Sequence, residues 1–108
     1  LWGTGMPKRQ QLFVDDLAKA ITIMLEEHNT SDPLIVAPDE NLSISEMANI
    51  IKIATGSTAR IEYTNQMEGQ HRKDGCNKMF KSITQDFKFT PFEEGIKITY
   101  EWFKESKI

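Results

Sequence analysis

The first helical pattern of apolar positions lies near the start of the chain. Its members share one helix face at i, i+3, i+4 spacing and are Leu17, Ala20, Ile21, Met24 and Leu25. We predict that this helix begins at Asp15 or Asp16, because either aspartate can cap free N–H groups and favours the positive dipole end. Residues 29–33, which end in a proline, are expected to stop it.

A capping box predicts a second helix. Ser43 and Glu46 have the required spacing, and Leu42 with Met47 can form a hydrophobic staple. Gly56 stands where a left-handed residue ends a helix. The apolar stripe consists of Met47, Ile50, Ile51 and Ala54.

The C-terminal region predicts a short helix over about residues 77–83 and a longer one after it. Thr90 and Glu93 form a second capping box, and Pro91 suits the first helical turn. The inner stripe of the long helix consists of Phe92, Ile96, Thr99, Tyr100 and Phe103.

Three short segments have strand patterns, at residues 11–14, 34–37 and 59–63. The first ten residues contain Gly3, Gly5 and Pro7 and are expected to be loop. Residues 64–76 form a longer polar loop, and loops of this length are usually functional or disordered. The sequence therefore predicts a single α+β domain over residues 1–108.

The composition limits the classes of binding partner and the compartment that the chain fits. The 108 residues are 39% hydrophobic and 27% charged, which is typical of a globular domain. The net charge of −3 and the scattered basic residues argue against nucleic-acid binding. We expect no membrane segment, because no apolar run approaches about 18 residues. A single cysteine, Cys76, fits a reducing compartment, and we expect a cytoplasmic protein.

Three features imitate catalytic motifs. Gly3 and Gly5 lack the preceding strand and third glycine of a dinucleotide loop. Tyr100 and Lys104 have the Tyr-x-x-x-Lys spacing, but a core tyrosine beside a solvated lysine is the simpler interpretation. His71 and Cys76 could form an acid–base pair, although nothing in their spacing requires it.

The two loops carry a further set of candidates, Trp2, Lys8, Arg9, Glu68, Arg72 and Lys73. Arginine suits phosphate or diphosphate, an aromatic ring can stack on a base or sugar, and a carboxylate can accept sugar hydroxyls. An ordinary solvated loop is the alternative.

A set of segments stands out along the chain, namely residues 2–10, 13–18, 42–46, 68–70 with 72–73, and Asp86 through Phe103. They resemble extended short-chain dehydrogenases of the NAD-dependent epimerase/dehydratase type, and most of all the GDP-L-fucose synthase family. The last segment is the most discriminating. The resemblance covers essentially the whole chain, but only the C-terminal substrate lobe of such an enzyme.

The resemblance implies a small, helix-rich C-terminal lobe with a few short strands, normally packed on an N-terminal Rossmann domain that this chain lacks. The parent would be an NADP(H)-dependent homodimer that epimerises GDP-4-keto-6-deoxy-D-mannose at C3 and C5 and then reduces C4. Trp2 and Arg9 match residues that contact the GDP-sugar. Glu68 is matched to an aspartate of the family, with one methylene more.

The family's catalytic and cofactor-binding residues have no counterpart in this chain. We therefore expect no catalytic residue, no bound cofactor and no metal here, and an inactive chain. The absent initiator methionine likewise suggests a piece of a longer protein. Two alternatives stay open: the lobe of another nucleotide-sugar epimerase or reductase, and a stand-alone, non-catalytic binding or interaction module.

Overall fold

The computed structural model describes residues 1–85 and 87–106; Asp86, which opens the most discriminating segment, lies outside them. The elements, in chain order, are β1 (Lys8–Arg9), α1 (Val14–Glu27), β2 (Leu42–Ser43), α2 (Ile44–Thr55), α3 (Lys78–Thr84) and α4 (Phe92–Ser106). The two strands pair antiparallel, with Lys8 opposite Ser43. The predicted α+β class is confirmed.

Helix α2 forms as predicted, with both ends fixed by nearby residues. The Glu46 N–H donates to the Ser43 hydroxyl (3.0 Å), and the Ser43 N–H donates to the Glu46 carboxylate (2.7 Å). These bonds from Ser43 hold the pKa of Glu46 below its usual value. Gly56 ends the helix in the left-handed region at φ 67°, where glycine carries no steric cost. Met47 lies in the core.

Helix α1 is present, but the prediction that Asp15 or Asp16 caps it is wrong. The helix begins at Val14, and the residue before it makes no side-chain cap. Asp16 is buried and bonds to Thr90 instead, accepting its N–H (2.6 Å) and its hydroxyl (2.9 Å). The carboxylate serves a distant segment because α1 lies alongside the chain that leads into α4.

The capping box predicted for α4 does not form. The Thr90 N–H is already bonded to Asp16, and the Glu93 carboxylate accepts from Lys97 one turn later. The first N–H of α4, from Phe92, donates to the Glu40 carboxylate (2.9 Å). Distant carboxylates, and not the local motif, therefore accept the hydrogen bonds of the N–H groups at the start of α4. The short helix α3 agrees with the prediction to within one residue at each end.

The three predicted strands, at 11–14, 34–37 and 59–63, are wrong for the part of the chain that the structure describes. A strand is stable only beside a hydrogen-bonded neighbour, and these segments run without one. Ile35 is half exposed although Ala37 is buried, so the segment around them covers only part of its apolar surface.

The core is small and centred on Phe80, whose side chain is fully buried. Its ring lies edge-on to Phe87, with centroids 5.0 Å apart, and tilted against Phe89 at 5.7 Å. Helices α2 and α4 pack against each other. Gly95 lets α4 approach Phe13, the residue before α1, since a Cβ on Gly95 would lie 3.2 Å from the Phe13 ring.

Much apolar surface stays open. The accessible area is 7994 Å², whereas a folded monomer of this mass exposes about 6,100 Å². The radius of gyration is 16.4 Å, against about 13 Å for a compact chain of this length. On α1, Ala20 is buried but Ile21 and Leu25 are 53% and 80% exposed. The predicted apolar stripe is therefore only partly covered by this chain.

Candidate functional site

A tight turn at the start of the chain is locked against α2. Gly3 and Gly5 both have positive φ, 69° and 74°. A Cβ on Gly5 would lie 2.9 Å from the ring of Tyr63, so only glycine fits there. The Ser45 N–H donates to the Gly5 carbonyl (2.9 Å), and the hydroxyls of Ser45 and Tyr63 are 2.6 Å apart. The turn is therefore held by the first residues of α2.

Trp2 lies on a short parallel bridge to Thr64. The Gly3 N–H donates to the Thr64 carbonyl (3.0 Å), and the Thr64 N–H donates to the carbonyl of Leu1 (2.7 Å). The backbone of Trp2 is thus fixed while its indole is 63% exposed. An open aromatic ring on a fixed backbone can stack on a base or a sugar.

Arg9 is held by backbone carbonyls. Its Nη1 donates to the carbonyls of Lys8 (2.6 Å) and Gln70 (2.8 Å). The Lys8 N–H donates to the His71 carbonyl (2.7 Å), so β1 lies between β2 and the loop of residues 64–76. A Cβ on Gly69 would lie 3.0 Å from Arg9 Nη2, so the absence of a side chain there leaves room for the guanidinium.

Glu68 reaches back from that loop to the glycine turn. Its Oε2 accepts the N–H (2.9 Å) and the hydroxyl (2.8 Å) of Thr4. These two bonds from Thr4 lower the pKa of Glu68, and the nearby His71 contributes in the same direction. The carboxylate is therefore ionised at neutral pH and lies against Gly3.

The structure thus brings the three predicted site residues, Trp2, Arg9 and Glu68, onto two hydrogen-bonded segments, residues 1–9 and 64–71. An aromatic face, a guanidinium and a carboxylate are the groups that would recognise a base or sugar ring, a phosphate and hydroxyls. We name these two segments together the paired loops.

Arg72 does not present a free cation to this region. Its guanidinium binds the Asp74 carboxylate through Nε and Nη2, at distances of 2.7 to 3.1 Å. Asn41 also donates to Asp74 (2.8 Å), and both donors lower the pKa of that carboxyl. The Asn41 Oδ1 is buried and has no hydrogen-bond partner among residues 1–85 and 87–106.

Sequence reasoning missed Thr4, Gln10, Asn41 and Asp74 at this site. Gln10 bridges two segments, since it donates to the Pro38 carbonyl and accepts the Gly75 N–H, each at 2.7 Å. Polar residues of this kind carry no motif, because their partners lie 28 to 65 positions away. Only the Arg72–Asp74 pair, two residues apart, had a signal in its spacing.

The Tyr100–Lys104 pair lies on α4 and not on the paired loops. Lys104 Nζ lies 4.9 Å from the centroid of the Tyr100 ring, and its bond to Glu101 raises the pKa of Lys104. Cys76 is exposed and free. The described part of the chain has no group of three metal-ligating side chains, and none of its helices is long and apolar enough to cross a membrane.

Comparison with known proteins points to one family. No family model matches the chain. It is 33% identical over 106 residues to a GDP-L-fucose synthase from Dictyostelium discoideum, which covers 95% of this chain and 33% of that protein. A GDP-mannose 3,5-epimerase from Arabidopsis thaliana is 26% identical over 105 residues, covering 97% of this chain and 28% of that protein.

The solved structures agree. A GDP-L-fucose synthetase from Naegleria fowleri bound to NADP superposes with a TM-score of 0.93 at 29% identity, over 99% of this chain and 34% of that one. The chain therefore spans about a third of the length of the relatives it matches, and almost all of its own length takes part.

Proposed function

Because the chain belongs to the GDP-L-fucose synthase family, we propose that it is the C-terminal, substrate-binding part of such an enzyme. The observation that carries this proposal is the pairing of the two loops, which joins Trp2 through backbone hydrogen bonds and Arg9 and Glu68 through hydrogen bonds of their side chains. The ligand class is a guanosine-diphosphate sugar, as the names of the relatives indicate.

Each residue has a distinct role in the proposal. Arg9 binds the diphosphate, since a guanidinium held by two carbonyls keeps its remaining N–H groups for an anion. Trp2 lines the sugar–nucleotide cleft with its exposed ring. Glu68 accepts sugar hydroxyls through Oε1, because Oε2 is already bonded to Thr4.

We further propose that the parent is a cytoplasmic, homodimeric epimerase and reductase that converts GDP-4-keto-6-deoxy-D-mannose to GDP-L-fucose. The NADP in the Naegleria relative supports NADP(H) as the parent's cofactor. In the proposal the catalytic groups and the cofactor site belong to a Rossmann domain outside these 108 residues. The chain alone therefore binds no cofactor and oxidises no NADPH.

The open apolar surface supports a packing partner of this kind. The area in excess of that of a compact monomer is about 1,900 Å². A standard protein interface buries about 800 Å² on each partner. We propose that the Rossmann domain covers the exposed side of α1, at Ile21 and Leu25, and the incompletely covered segment around Ile35.

Binding of GDP to the chain tests the proposal. On addition of GDP, amide NMR shifts should cluster at residues 2–10 and around Glu68. Arg9→Met should weaken GDP binding at least about tenfold, because a charge-assisted contact is lost, whereas Arg60→Met, at a highly exposed arginine, should not. Shifts confined to the region of Tyr100 and Lys104 would refute this site.

Trp2 has a matched control in Trp102, since the two indoles are 63% and 59% exposed. Trp2→Ala should weaken GDP binding and Trp102→Ala should leave it unchanged. Equal effects would show that the ring of Trp2 has no special role.

The second candidate is the corresponding part of a GDP-mannose 3,5-epimerase, which the similarity to the Arabidopsis relative favours. Both candidates take a GDP-sugar, so GDP binding does not separate them. Competition between GDP-mannose and GDP-L-fucose for the chain does. Tighter binding of GDP-L-fucose supports the first candidate, and a clear preference for GDP-mannose supports the second. Binding of neither sugar nucleotide would favour a stand-alone interaction module.

A further inference from the structure

We infer that Glu68 is also a positioning residue, whose Oε2 fastens the loop of residues 64–76 to the glycine turn through Thr4, so that the paired loops keep one arrangement. We name this contact the Thr4–Glu68 latch. The inference rests on the proposed function for its consequence in ligand binding, but the latch itself is a property of the free chain.

The geometry assigns the two carboxylate oxygens different tasks. Oε2 accepts both donors of Thr4, at 2.9 Å from the N–H and 2.8 Å from the hydroxyl. The Thr4 hydroxyl in turn accepts the Met6 N–H (3.2 Å), so the latch extends through the whole turn. Among the described residues Oε1 has no hydrogen-bond partner and remains open to a ligand hydroxyl.

The latch completes a set of backbone contacts that lie on both sides of it. On one side Gly3 bonds to Thr64, and on the other Lys8 bonds to His71. Between those contacts, among the described residues, the Glu68 side chain joins the two segments through Thr4, and just beyond Lys8 the Arg9 side chain bonds to Gln70. Loss of the latch would therefore release the loop around Glu68 from the glycine turn, which stays bonded to α2 through Gly5 and Ser45.

The surroundings of Glu68 favour the ionised, bonding form. The imidazole of His71 lowers the pKa of the carboxyl further, and the Arg9 guanidinium lies against the neighbouring Gly69. A Cβ on Gly3 would lie 2.6 Å from Oε2, so the glycine allows the carboxylate to approach the turn. Only a close, side-chain-free turn admits this contact.

The latch is tested first without ligand. In the wild-type chain the amide proton shift of Thr4 should titrate with a midpoint below the ordinary glutamate pKa of about 4.3. The titration should disappear in Glu68→Gln. A Thr4 amide shift that does not change with pH would overturn the inference, whether or not the chain binds GDP.

The ligand experiment separates positioning from direct contact. At pH 7, Thr4→Val should weaken GDP binding about three- to tenfold, because the exposed bond from the Thr4 hydroxyl to Glu68 is lost while the bond from the Thr4 N–H remains. Thr4→Ser keeps the hydroxyl and should restore wild-type affinity, and Thr58→Val, at an exposed threonine of another segment, is the control. If Thr4→Val binds like Thr58→Val while Glu68→Gln binds weakly, Glu68 acts only on the ligand and the inference is wrong.

A third result concerns the proposed function alone. If the wild-type chain shows the Thr4 titration but no GDP binding at millimolar concentration, the latch stands and the substrate-binding proposal fails. The opposite result, GDP binding with no titration, removes the latch and leaves the proposal intact.

Discussion

The buried carboxylate of Asp16 ties α1 to the segment that leads into α4, and its removal should destabilise the whole fold. The carboxylate accepts two hydrogen bonds from Thr90, at 2.6 and 2.9 Å. A hydrogen bond to a charged group contributes about 1.5–3 kcal/mol. Asp16→Ala removes both bonds, and we expect it to lower the free energy of unfolding by about 3 kcal/mol.

Asp16→Asn should cost less. The amide oxygen can still accept the Thr90 N–H, and the amide nitrogen can donate to the Thr90 hydroxyl, which is able to act as either partner. The shape is kept and the charge is lost, so we expect a loss of about 1 kcal/mol. The expected loss of stability is larger for Asp16→Ala than for Asp16→Asn because of the hydrogen-bond geometry, and not because of burial alone.

Asp15→Asn is the matched control, because Asp15 stands in the same first turn and is exposed. It loses the same charge and the same interaction with the helix dipole, worth about 0.5 kcal/mol. Urea unfolding followed by far-ultraviolet circular dichroism at pH 7 measures all three variants. A loss for Asp16→Ala no larger than that for Asp15→Asn would refute the bonding role of Asp16.

Three further predictions concern the core, the turns and pH. Phe80→Leu should lower the free energy of unfolding by about 2 kcal/mol through lost packing and aromatic contacts. Phe103→Leu, at a residue that is 54% exposed, should change that free energy by less than about 0.5 kcal/mol. Equal urea midpoints for the two variants would contradict a core centred on Phe80. Gly56→Ala, with open space around the Cβ, should cost about 1 kcal/mol, and Gly5→Ala clearly more because its Cβ meets a ring; the reverse order would count against the locked turn. The pKa of Glu46 is lowered in the folded chain, so the stability that its carboxylate contributes should be complete above about pH 5 and be lost as the pH falls below about 4.3 through the folded value. The urea midpoint of Glu46→Gln should therefore fall less at acid pH than the wild-type midpoint. Midpoints that fall in parallel would argue against this role of Glu46.

Helix α2 could be predicted from the sequence because everything that bounds it is local. Ser43 and Glu46 satisfy each other's backbone groups, and Gly56 bonds back to the carbonyls of the last turn, all within 14 positions. The ends of α1 and α4 could not be predicted in this way, because Asp16 and Thr90 bond across 74 positions. A capping pattern indicates which local groups can bond to a helix end, but at the start of α4 the N–H groups of Thr90 and Phe92 bond to distant carboxylates instead.

The strands were not predictable for a different physical reason. Residues 34–37 and 59–63 have suitable apolar patterns, but a strand needs a partner at hydrogen-bonding distance. The residues that do pair, Lys8 with Ser43 and Trp2 with Thr64, have no alternating pattern to indicate it. Pairing here follows from how the glycine turn and α2 meet.

At the candidate site, the chemistry of the loop residues indicated a wider set of candidates, and the resemblance narrowed that set to Trp2, Arg9 and Glu68. The surroundings of these residues could be learned only from the structure. Thr4, which bonds to Glu68 across 64 positions, had no signal in the sequence. Arg72 is a candidate cation by sequence, but in the structure its guanidinium is bound to Asp74.

The separation of the paired loops along the chain has a consequence for folding order. Arg9 meets Gln70 across 61 positions, and Gly75 meets Gln10 across 65. Contacts so far apart form slowly, whereas the capped helix α2 between them depends on neighbours within a turn. During synthesis the first nine residues must wait until the later loop has been made, so α2 can form before the paired loops meet.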